Sequence, residues 1–214
     1  MKFCVIGLGR FGYHVATVLA EHGMEVMAVD SNESIIASIR DQVTQAICMR
    51  VIDEASLRSI GVEEMDTVIV AMGENFAQSI LITALLKKRI RMKNVITRAI
   101  SDIHKEILQL VGADRVILPE KEIGIRLADN LSSPFLEHLR LSRDFAVTQI
   151  KAPEEFVGKS VESLELFKNY HIRCIGIQEK GETISAISPS YVIAENDKLI
   201  FAGKTKDLEK ILNL

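Results

Sequence analysis

The sequence predicts an α/β protein: a Rossmann-type, doubly wound parallel sheet, then a helical connector, then a small α+β C-terminal domain. Two observations predict the sheet. Short strands rich in Val and Ile alternate with helical segments, and the first strand runs into the glycine pattern Gly7-Leu8-Gly9-Arg10-Phe11-Gly12. A third observation predicts the second domain, because from Asp144 onward the predicted strands follow one another closely, with turn residues between them.

Six strands are predicted in the first domain. They are too apolar to have a solvated face, as expected of a parallel sheet covered on both sides, and helical spacing such as that of Val15, Val18 and Leu19 lies between them. The predicted strands are Lys2–Ile6, Glu25–Val29, Gln45–Met49, Thr67–Ala71, Asn94–Arg98 and Arg115–Leu118.

Pro119 ends the sixth strand and suits the first turn of a helix. Ile123, Leu127 and Leu131 then form one apolar stripe, and after the interruption at 132–134 a second short apolar helix is predicted through Phe135, Leu136 and Leu139. These helices follow a completed sheet, so their apolar faces favour docking on a second subunit; packing on their own domain is the alternative. The predicted domains are 1–131 with the first connector helix, 132–143 with the turn and second helix, and 144–214.

The last domain is predicted to contain strands, a hairpin turn and a closing helix. The turn is expected near Lys180-Gly181. The predicted elements are strands Ala146–Ile150, His171–Gln178, Thr183–Ile187 and Lys198–Phe201 and helix Lys204–Leu212.

Composition excludes several partners. The net charge of −3 gives no reason to expect nucleic acid. No apolar run reaches the roughly 18 residues that cross a bilayer, so no direct membrane insertion is expected. The first strand begins at Lys2, which leaves no room for a signal peptide. Cys4, Cys48 and Cys174 are predicted to be small core residues of a reduced, cytoplasmic protein.

The glycine pattern predicts a nucleotide site. Gly7 permits a tight turn, Gly9 lets a diphosphate approach the backbone, and Gly12 lets the following helix pack closely, while the amides at the helix start attract anions. Asp30, at the tip of the second strand, would accept hydrogen bonds from a ribose and repel a 2′-phosphate. Phe11 and Ser31 are placed in the same site as neighbours of these residues.

Further candidates come from the glycine pattern and from the ends of strands four and five. Ala71, Met72 and Gly73 would line the nucleotide, and Arg98 would point into the crevice toward a phosphate. Arg10 is a cation at the positive end of a helix, which is unfavourable unless an anion compensates; a solvated arginine is the alternative.

The combination resembles one family, the RCK proteins, regulators of potassium conductance, and among them the stand-alone KtrA/TrkA-type subunits. The resemblance covers essentially the whole chain. It is carried by the glycine pattern with Arg10 inside it, Asp30, the Asp66–Gly73 strand, and the run Gly112-Ala113-Asp114-Arg115 that leads to Pro119-Glu120.

The resemblance implies a regulatory subunit that is not an enzyme. Such subunits pair through the connector helices, form rings that are commonly octameric, and sit beneath an integral membrane potassium channel or transporter. An adenine nucleotide (ATP/ADP or NAD⁺/NADH) changes the shape of the ring and thereby potassium flux. The resemblance also implies that Arg10 senses a γ-phosphate across the dimer and that Glu120 helps hold Mg²⁺ or Ca²⁺.

Two departures from the family pattern limit the resemblance. Many relatives carry Gly-Asp-Ala-Thr after the third strand, where this chain has Met49-Arg50-Val51-Ile52, so that adenine contact is not carried over. Cyclic di-AMP is a ligand of some relatives' C-terminal domains, but Leu166-Phe167-Lys168-Asn169 departs from the matching stretch of known binders, which carries an arginine.

Two other functions stay open at this point. An NAD-dependent oxidoreductase would need a substrate domain and an acid–base partner, and none stands out. A nucleotide-sensing transcription regulator would need a basic recognition helix. The one basic cluster, around Lys87-Lys88-Arg89, is also explained by the end of a helix. The five histidines show no metal-ligand spacing and are expected on the surface or on helices.

Overall fold

A computed structural model describes residues 1–73, 75–132, 137–142, 144–178 and 184–211. The chain forms two compact units, Met1–Glu122 and Ile123–Leu214. Within the described ranges, none of the helices combines the length and the apolarity that a bilayer crossing demands.

The first unit contains a six-stranded parallel sheet in the order β3-β2-β1-β4-β5-β6, which confirms the predicted doubly wound fold. Val5, Val29, Val70 and Val95 are fully buried, since helices cover both faces. Each strand lies within one residue of its predicted bounds: β1 Lys2–Ile6, β2 Glu25–Asp30, β3 Gln45–Cys48, β4 Thr67–Val70, β5 Asn94–Arg98 and β6 Arg115–Ile117.

Five helices connect these strands. The fourth continues as a π-helical turn, Leu85–Ile90, that ends at Arg91 in the left-handed region. The helices are α1 Arg10–Glu21, α2 Glu33–Ile39, α3 Glu54–Ser59, α4 Phe76–Ala84 and α5 Asp102–Leu110.

Helix α6 spans Pro119–Ser132 and begins at the predicted proline. The stripe Ile123, Leu127 and Leu131 is 62%, 56% and 78% exposed. The second predicted connector helix is wrong where the structure describes it, because Leu139 lies on a strand, Glu137–Arg140. That strand is held by pairing of Leu139 with Val147 across an antiparallel ladder. Phe135 and Leu136 lie outside the described residues.

The second unit is built on an antiparallel sheet in the order β7-β8-β10-β9, which the short helices α7 and α8 accompany. Its hydrophobic core includes Phe156, Ile172, Leu199 and Phe201. The elements are β7 Glu137–Arg140, β8 Phe145–Lys151, α7 Leu166–Tyr170, β9 Arg173–Gln178, β10 Lys198–Lys204 and α8 Thr205–Ile211.

Two details of the second unit differ from the prediction. Strand β9 begins two residues late, because His171 ends α7 in the left-handed region with φ of 59°. Of the predicted strand Thr183–Ile187, Ser185 forms a single antiparallel bridge to Ile177. The predicted turn at Lys180-Gly181 and the last residue of the predicted helix, Leu212, lie outside the described residues.

Two side-chain expectations were wrong. Cys48 is exposed at the end of β3, whereas Cys4 is buried, and burial raises the pKa of the Cys4 thiol to about 12. His138 lies buried on β7, where the prediction had a surface or helical residue. His104 does lie on a helix, but it is fully buried.

Candidate functional site

The glycine turn joins β1 to α1 at the carboxyl edge of the sheet. Gly7 has a φ of +92°, a backbone conformation that residues with a side chain rarely adopt. A Cβ on Gly12 would lie 1.9 Å from the carbonyl oxygen of Gly7, so helix α1 approaches the turn as closely as backbone atoms allow. A Cβ on Gly9 would meet nothing within 4 Å. Space is therefore open at the middle glycine and filled at the outer two.

The start of α1 differs from the starts of the neighbouring helices. Its N-cap residue is Gly9, so no N-cap side chain satisfies the first amides, and its first turn has no acidic residue. Helices α2 to α5 each begin at a polar side chain that accepts a hydrogen bond from the first turn: Asn32, Asp53, Asn75 and Ser101. The amides at the start of α1 are the ones left for an external anion.

Asp30 ends β2 and holds the glycine turn in place. Its carboxylate accepts a hydrogen bond from the backbone N–H of Leu8 at 2.6 Å and another from that of Asn32 at 2.8 Å. Ser31 follows, and its carbonyl accepts a hydrogen bond from the Cys48 thiol at 3.7 Å. Carboxylate oxygens have further lone pairs, so a ribose hydroxyl can still be accepted there. The bond to Leu8 is a positioning role that sequence reasoning missed.

The end of β4 forms the other wall of the turn. Ala71 donates its backbone N–H to Ile6 at 2.8 Å. A Cβ on Gly7 would lie 3.0 Å from Cγ and 3.2 Å from the backbone nitrogen of Met72. A Cβ on Gly73 would lie 2.2 Å from Nη1 of Arg98. The predicted residues of β4 thus adjoin the turn on one side and Arg98 on the other.

Arg98, at the end of β5, forms an ion pair with Glu120 in the first turn of α6. The Arg98 side chain is 19% exposed and that of Glu120 is 68% exposed. A hydrogen bond from its own backbone N–H and the Arg98 guanidinium hold the pKa of Glu120 below its usual value. Both residues were predicted to serve the site, but their pairing was not; nothing in the sequence spacing indicates it.

Arg10 and Phe11 face a shallow groove of about 700 Å³ along the outer side of α1. Glu120, the partner of Arg98, also lines this groove. The remaining lining is mostly apolar: Val15, Val18 and Leu19, with His14 and His22. The helical spacing of these residues identified α1 in the sequence but not this outward-facing groove.

A metal would need more ligands than Glu120 alone. Across the described part of the chain, no three His, Cys, Asp or Glu side chains gather closely enough to hold a metal ion. A divalent cation at Glu120 therefore depends on donors from outside that part of the chain, such as phosphate oxygens, and Mg²⁺ or Ca²⁺ stays a prediction.

A glycine turn at the switch point between β1 and β4, an uncapped helix start and an acid ending β2 together define a Rossmann-type nucleotide-binding fold. Comparison with known proteins narrows this class. Residues 3–119 match the TrkA-N domain and residues 147–214 match the TrkA-C domain. The chain therefore belongs to the RCK family, whose potassium uptake proteins carry these two domains.

Relatives and solved structures agree with that assignment. The chain is 33% identical over 213 residues to Ktr system potassium uptake protein A of Bacillus subtilis (strain 168), covering 99% of this chain and 96% of the relative. The GsuK channel bound to NAD aligns with 99% of this chain and 38% of its own, at 21% identity and a TM-score of 0.54. The crystal structure of GsuK bound to ADP aligns with 61% of this chain and 34% of the GsuK chain, at 21% identity and a TM-score of 0.54. This chain thus spans well under half of the GsuK chain, and that likeness concerns the fold.

Proposed function

We propose that this chain is a cytoplasmic regulatory subunit of a potassium channel or transporter, and that it controls potassium flux by binding an adenine nucleotide. Membership of the RCK family and the likeness to a Ktr uptake protein over 99% of the chain support the transport role. The subunit would be held at the inner face of the membrane by its integral membrane partner. It would have no catalytic residues of its own.

One observation carries the nucleotide part of the proposal: α1 alone among the first five helices starts with glycine at the N-cap position, and Gly9 opens onto free space. The resulting unsatisfied amides, together with the positive end of the helix, favour a phosphate. Asp30, the acid at the end of β2, would accept hydrogen bonds from the ribose of an adenosine. The proposed contacts are made by Gly7, Gly9, Arg10, Phe11, Gly12, Asp30, Ser31, Ala71, Met72, Gly73 and Arg98.

The choice between ATP/ADP and NAD⁺/NADH depends on the far end of the ligand. The Asp30 carboxylate would repel a 2′-phosphate on the ribose, which disfavours NADP⁺ and leaves both of these pairs open. Arg10, exposed in the first turn of α1, is available to a terminal phosphate of the same or of a neighbouring subunit. Mg²⁺ or Ca²⁺ bound at Glu120 would screen the phosphate charge.

The apolar stripe of α6 supports a dimer. Ile123, Leu127 and Leu131 are each more than half exposed, and side chains of this kind gain by burial against a second copy. We expect such dimers to assemble into a ring, with an octamer as the family-based expectation. Residues 144–214, together with strand β7 of the same sheet, would form the regulatory C-terminal domain, for which cyclic di-AMP is the candidate ligand.

Control of flux then follows from linkage. A nucleotide that binds one shape of the ring more tightly shifts the population toward it, and coupling of this kind amounts to about 1–3 kcal/mol per site. The nucleotide is not consumed.

A thermal-shift panel tests the proposal directly. The purified chain is melted with ATP, ADP, NAD⁺, NADH and cyclic di-AMP, each with and without Mg²⁺. A ligand present at 100 times its Kd adds about 2.7 kcal/mol to stability, which raises the melting temperature measurably. Stability unchanged by every adenine nucleotide, or a monomer at micromolar concentration in light scattering, contradicts the proposal.

Arg10→Ala tests the discrimination. We expect the variant to fold normally and to bind ATP and ADP with similar affinity, because the terminal phosphate loses its guanidinium partner. Arg115→Ala is the matched control, since Arg115 is an exposed arginine at the opposite, amino-terminal edge of the sheet. Equal ATP and ADP affinities in the unmodified chain, measured by calorimetry, count against a γ-phosphate sensor.

A further inference from the structure

Arg98 is a cation whose hydrogen-bonding capacity is only partly used. Its guanidinium lies over Gly73, where any Cβ would come within 2.2 Å of Nη1. Nη2 donates to Glu120, while Nε is buried and has no hydrogen-bond partner among the described residues. A guanidinium can donate five hydrogen bonds, and its planar fork matches the oxygens of a phosphate.

The position of Arg98 relates it to the glycine turn. Gly7 packs on the backbone of Met72, and Arg98 lies on the next residue, Gly73. The end of β4, Met72 and Gly73, therefore lies between the glycine turn and the guanidinium. A nucleotide with a single phosphate would end at the amides of α1, whereas additional phosphates that cross the end of β4 would come to Arg98.

The carboxylate that occupies Arg98 is easily released. The Glu120 side chain is 68% exposed, so water solvates its carboxylate well once the pair is broken. The Arg98 side chain is 19% exposed, so its guanidinium then needs another acceptor. A phosphate presents more negative charge and more acceptor oxygens to the same fork. The exchange would leave the Glu120 carboxylate free in the groove that it shares with Arg10.

We propose that Glu120 competes with the terminal phosphate of a bound nucleotide for Arg98, and that this competition sets how strongly the site selects nucleoside triphosphates. The inference rests on the proposed nucleotide site and adds a specificity-determining residue to it. A competing role and a positioning role of Glu120 predict opposite changes in nucleotide affinity when Glu120 is removed. If Glu120 merely oriented Arg98 for the ligand, its removal would weaken nucleotide binding; as a competitor, its removal strengthens it.

Calorimetry with AMP, ADP and ATP in EDTA tests the competition without any divalent cation. In Glu120→Gln we expect the Kd for ATP to fall about two- to fivefold, the range found for ion pairs whose carboxylate is exposed to water, as that of Glu120 is. The Kd for AMP stays unchanged, and ADP gains no more than ATP. Asp102→Asn is the matched control, because Asp102 is also an exposed acid in a helix first turn, paired with Lys121.

Each result of these measurements either supports or contradicts the competition. A gain limited to the longer phosphate chains, absent in Asp102→Asn and lost in the double variant Arg98→Gln with Glu120→Gln, supports the competition. The contrast between ATP and AMP in Glu120→Gln alone suffices if the double variant does not fold. Weaker or unchanged ATP binding, an equal gain for AMP, or the same gain in Asp102→Asn overturns it. If the unmodified chain binds no nucleotide, the proposed function fails together with this inference. If the unmodified chain binds ATP but the variants give one of the contradicting results, only this inference fails.

Discussion

Helices α1 and α5 start at the same edge of the same sheet, each after a parallel strand, and their first turns are chemically opposite. The N-cap residue is Gly9 in α1 and Ser101 in α5, and the first helical residue is Arg10 in one and Asp102 in the other. The α5 start is satisfied internally: the Ser101 hydroxyl accepts the His104 amide at 3.1 Å, and an acid faces the positive helix end.

The third helical residue extends the contrast. In α1 it is Gly12, pressed against the carbonyl of Gly7; in α5 it is His104, fully buried, with Nδ1 accepting the Ile100 amide and Nε2 next to the Ser79 hydroxyl. A helix that satisfies its own first turn has no need of a ligand. The difference therefore indicates which of the two helix starts at this edge is kept for an anion.

The largest effect is expected from Gly12→Ala. The added methyl would overlap the Gly7 carbonyl oxygen at 1.9 Å, and backbone cannot move aside as a flexible side chain can. We expect a loss of about 3 kcal/mol or more in urea unfolding, together with loss of nucleotide binding. Gly124→Ala in α6, where a Cβ meets nothing within 4 Å, is the control and should be neutral or slightly stabilising. Near-native stability of Gly12→Ala would contradict the close approach of α1 to the turn.

The next effect is a pH dependence of stability at the α5 start. Burial lowers the pKa of His104 below that of the unfolded chain, so the unfolded state binds more protons once the pH falls below about 6.5. The contribution of His104 to stability should be constant above that pH and decrease below it, by at most about 1.4 kcal/mol per pH unit.

Urea unfolding at pH 7.5 and 5.5 measures this dependence. His104→Gln should reduce this pH dependence, although the variant should be less stable than the unmodified chain at both pH values. His14→Gln alters an exposed histidine of α1 and should leave the pH dependence unchanged. Equal stability of the unmodified chain at both pH values would show that His104 is protonated without cost.

Ser101→Ala should cost about 1 kcal/mol, since the hydroxyl that accepts the His104 amide is lost. Ser34→Ala, on the exposed first turn of α2, is the control and should change stability by less than about 0.5 kcal/mol. Nucleotide affinity should be the same in both variants, because neither residue lies at the glycine turn. A Ser101→Ala variant as stable as the control would mean that the α5 cap is not needed.

The smallest change in stability is expected for Gly9→Asp. This variant also distinguishes most clearly between the roles of the two helix starts. Gly9 has φ of −61° and ψ of 179°, which an aspartate N-cap adopts without strain. The new carboxylate should stabilise the fold by a few tenths of a kcal/mol and abolish nucleotide binding, because it takes the amides that the phosphate needs. Unfolding curves and calorimetry measure the two effects. Retained nucleotide affinity would exclude the α1 amides as the phosphate site.

Several parts of the fold and site could be predicted because they depend on local patterns. Each strand of the parallel sheet is a short apolar run, and the glycine turn has a fixed spacing, so the β1–α1 unit and Asp30 were found from the sequence. The second connector helix was wrong because Leu139 is apolar in a segment that also fits a helix. Pairing with Val147, a partner eight residues away, made it a strand.

By itself the sequence determined the doubly wound sheet, the start of α6 at Pro119 and the family, because these depend on neighbouring residues and on periodicity. Tertiary structure alone decided which distant side chains meet: Asp30 with the Leu8 amide, Arg98 with Gly73 and Glu120, and Ser79 with the buried His104. The physical reason is that hydrogen bonds and ion pairs depend on distances of about 3 Å, which residues more than twenty positions apart acquire only when the chain has folded.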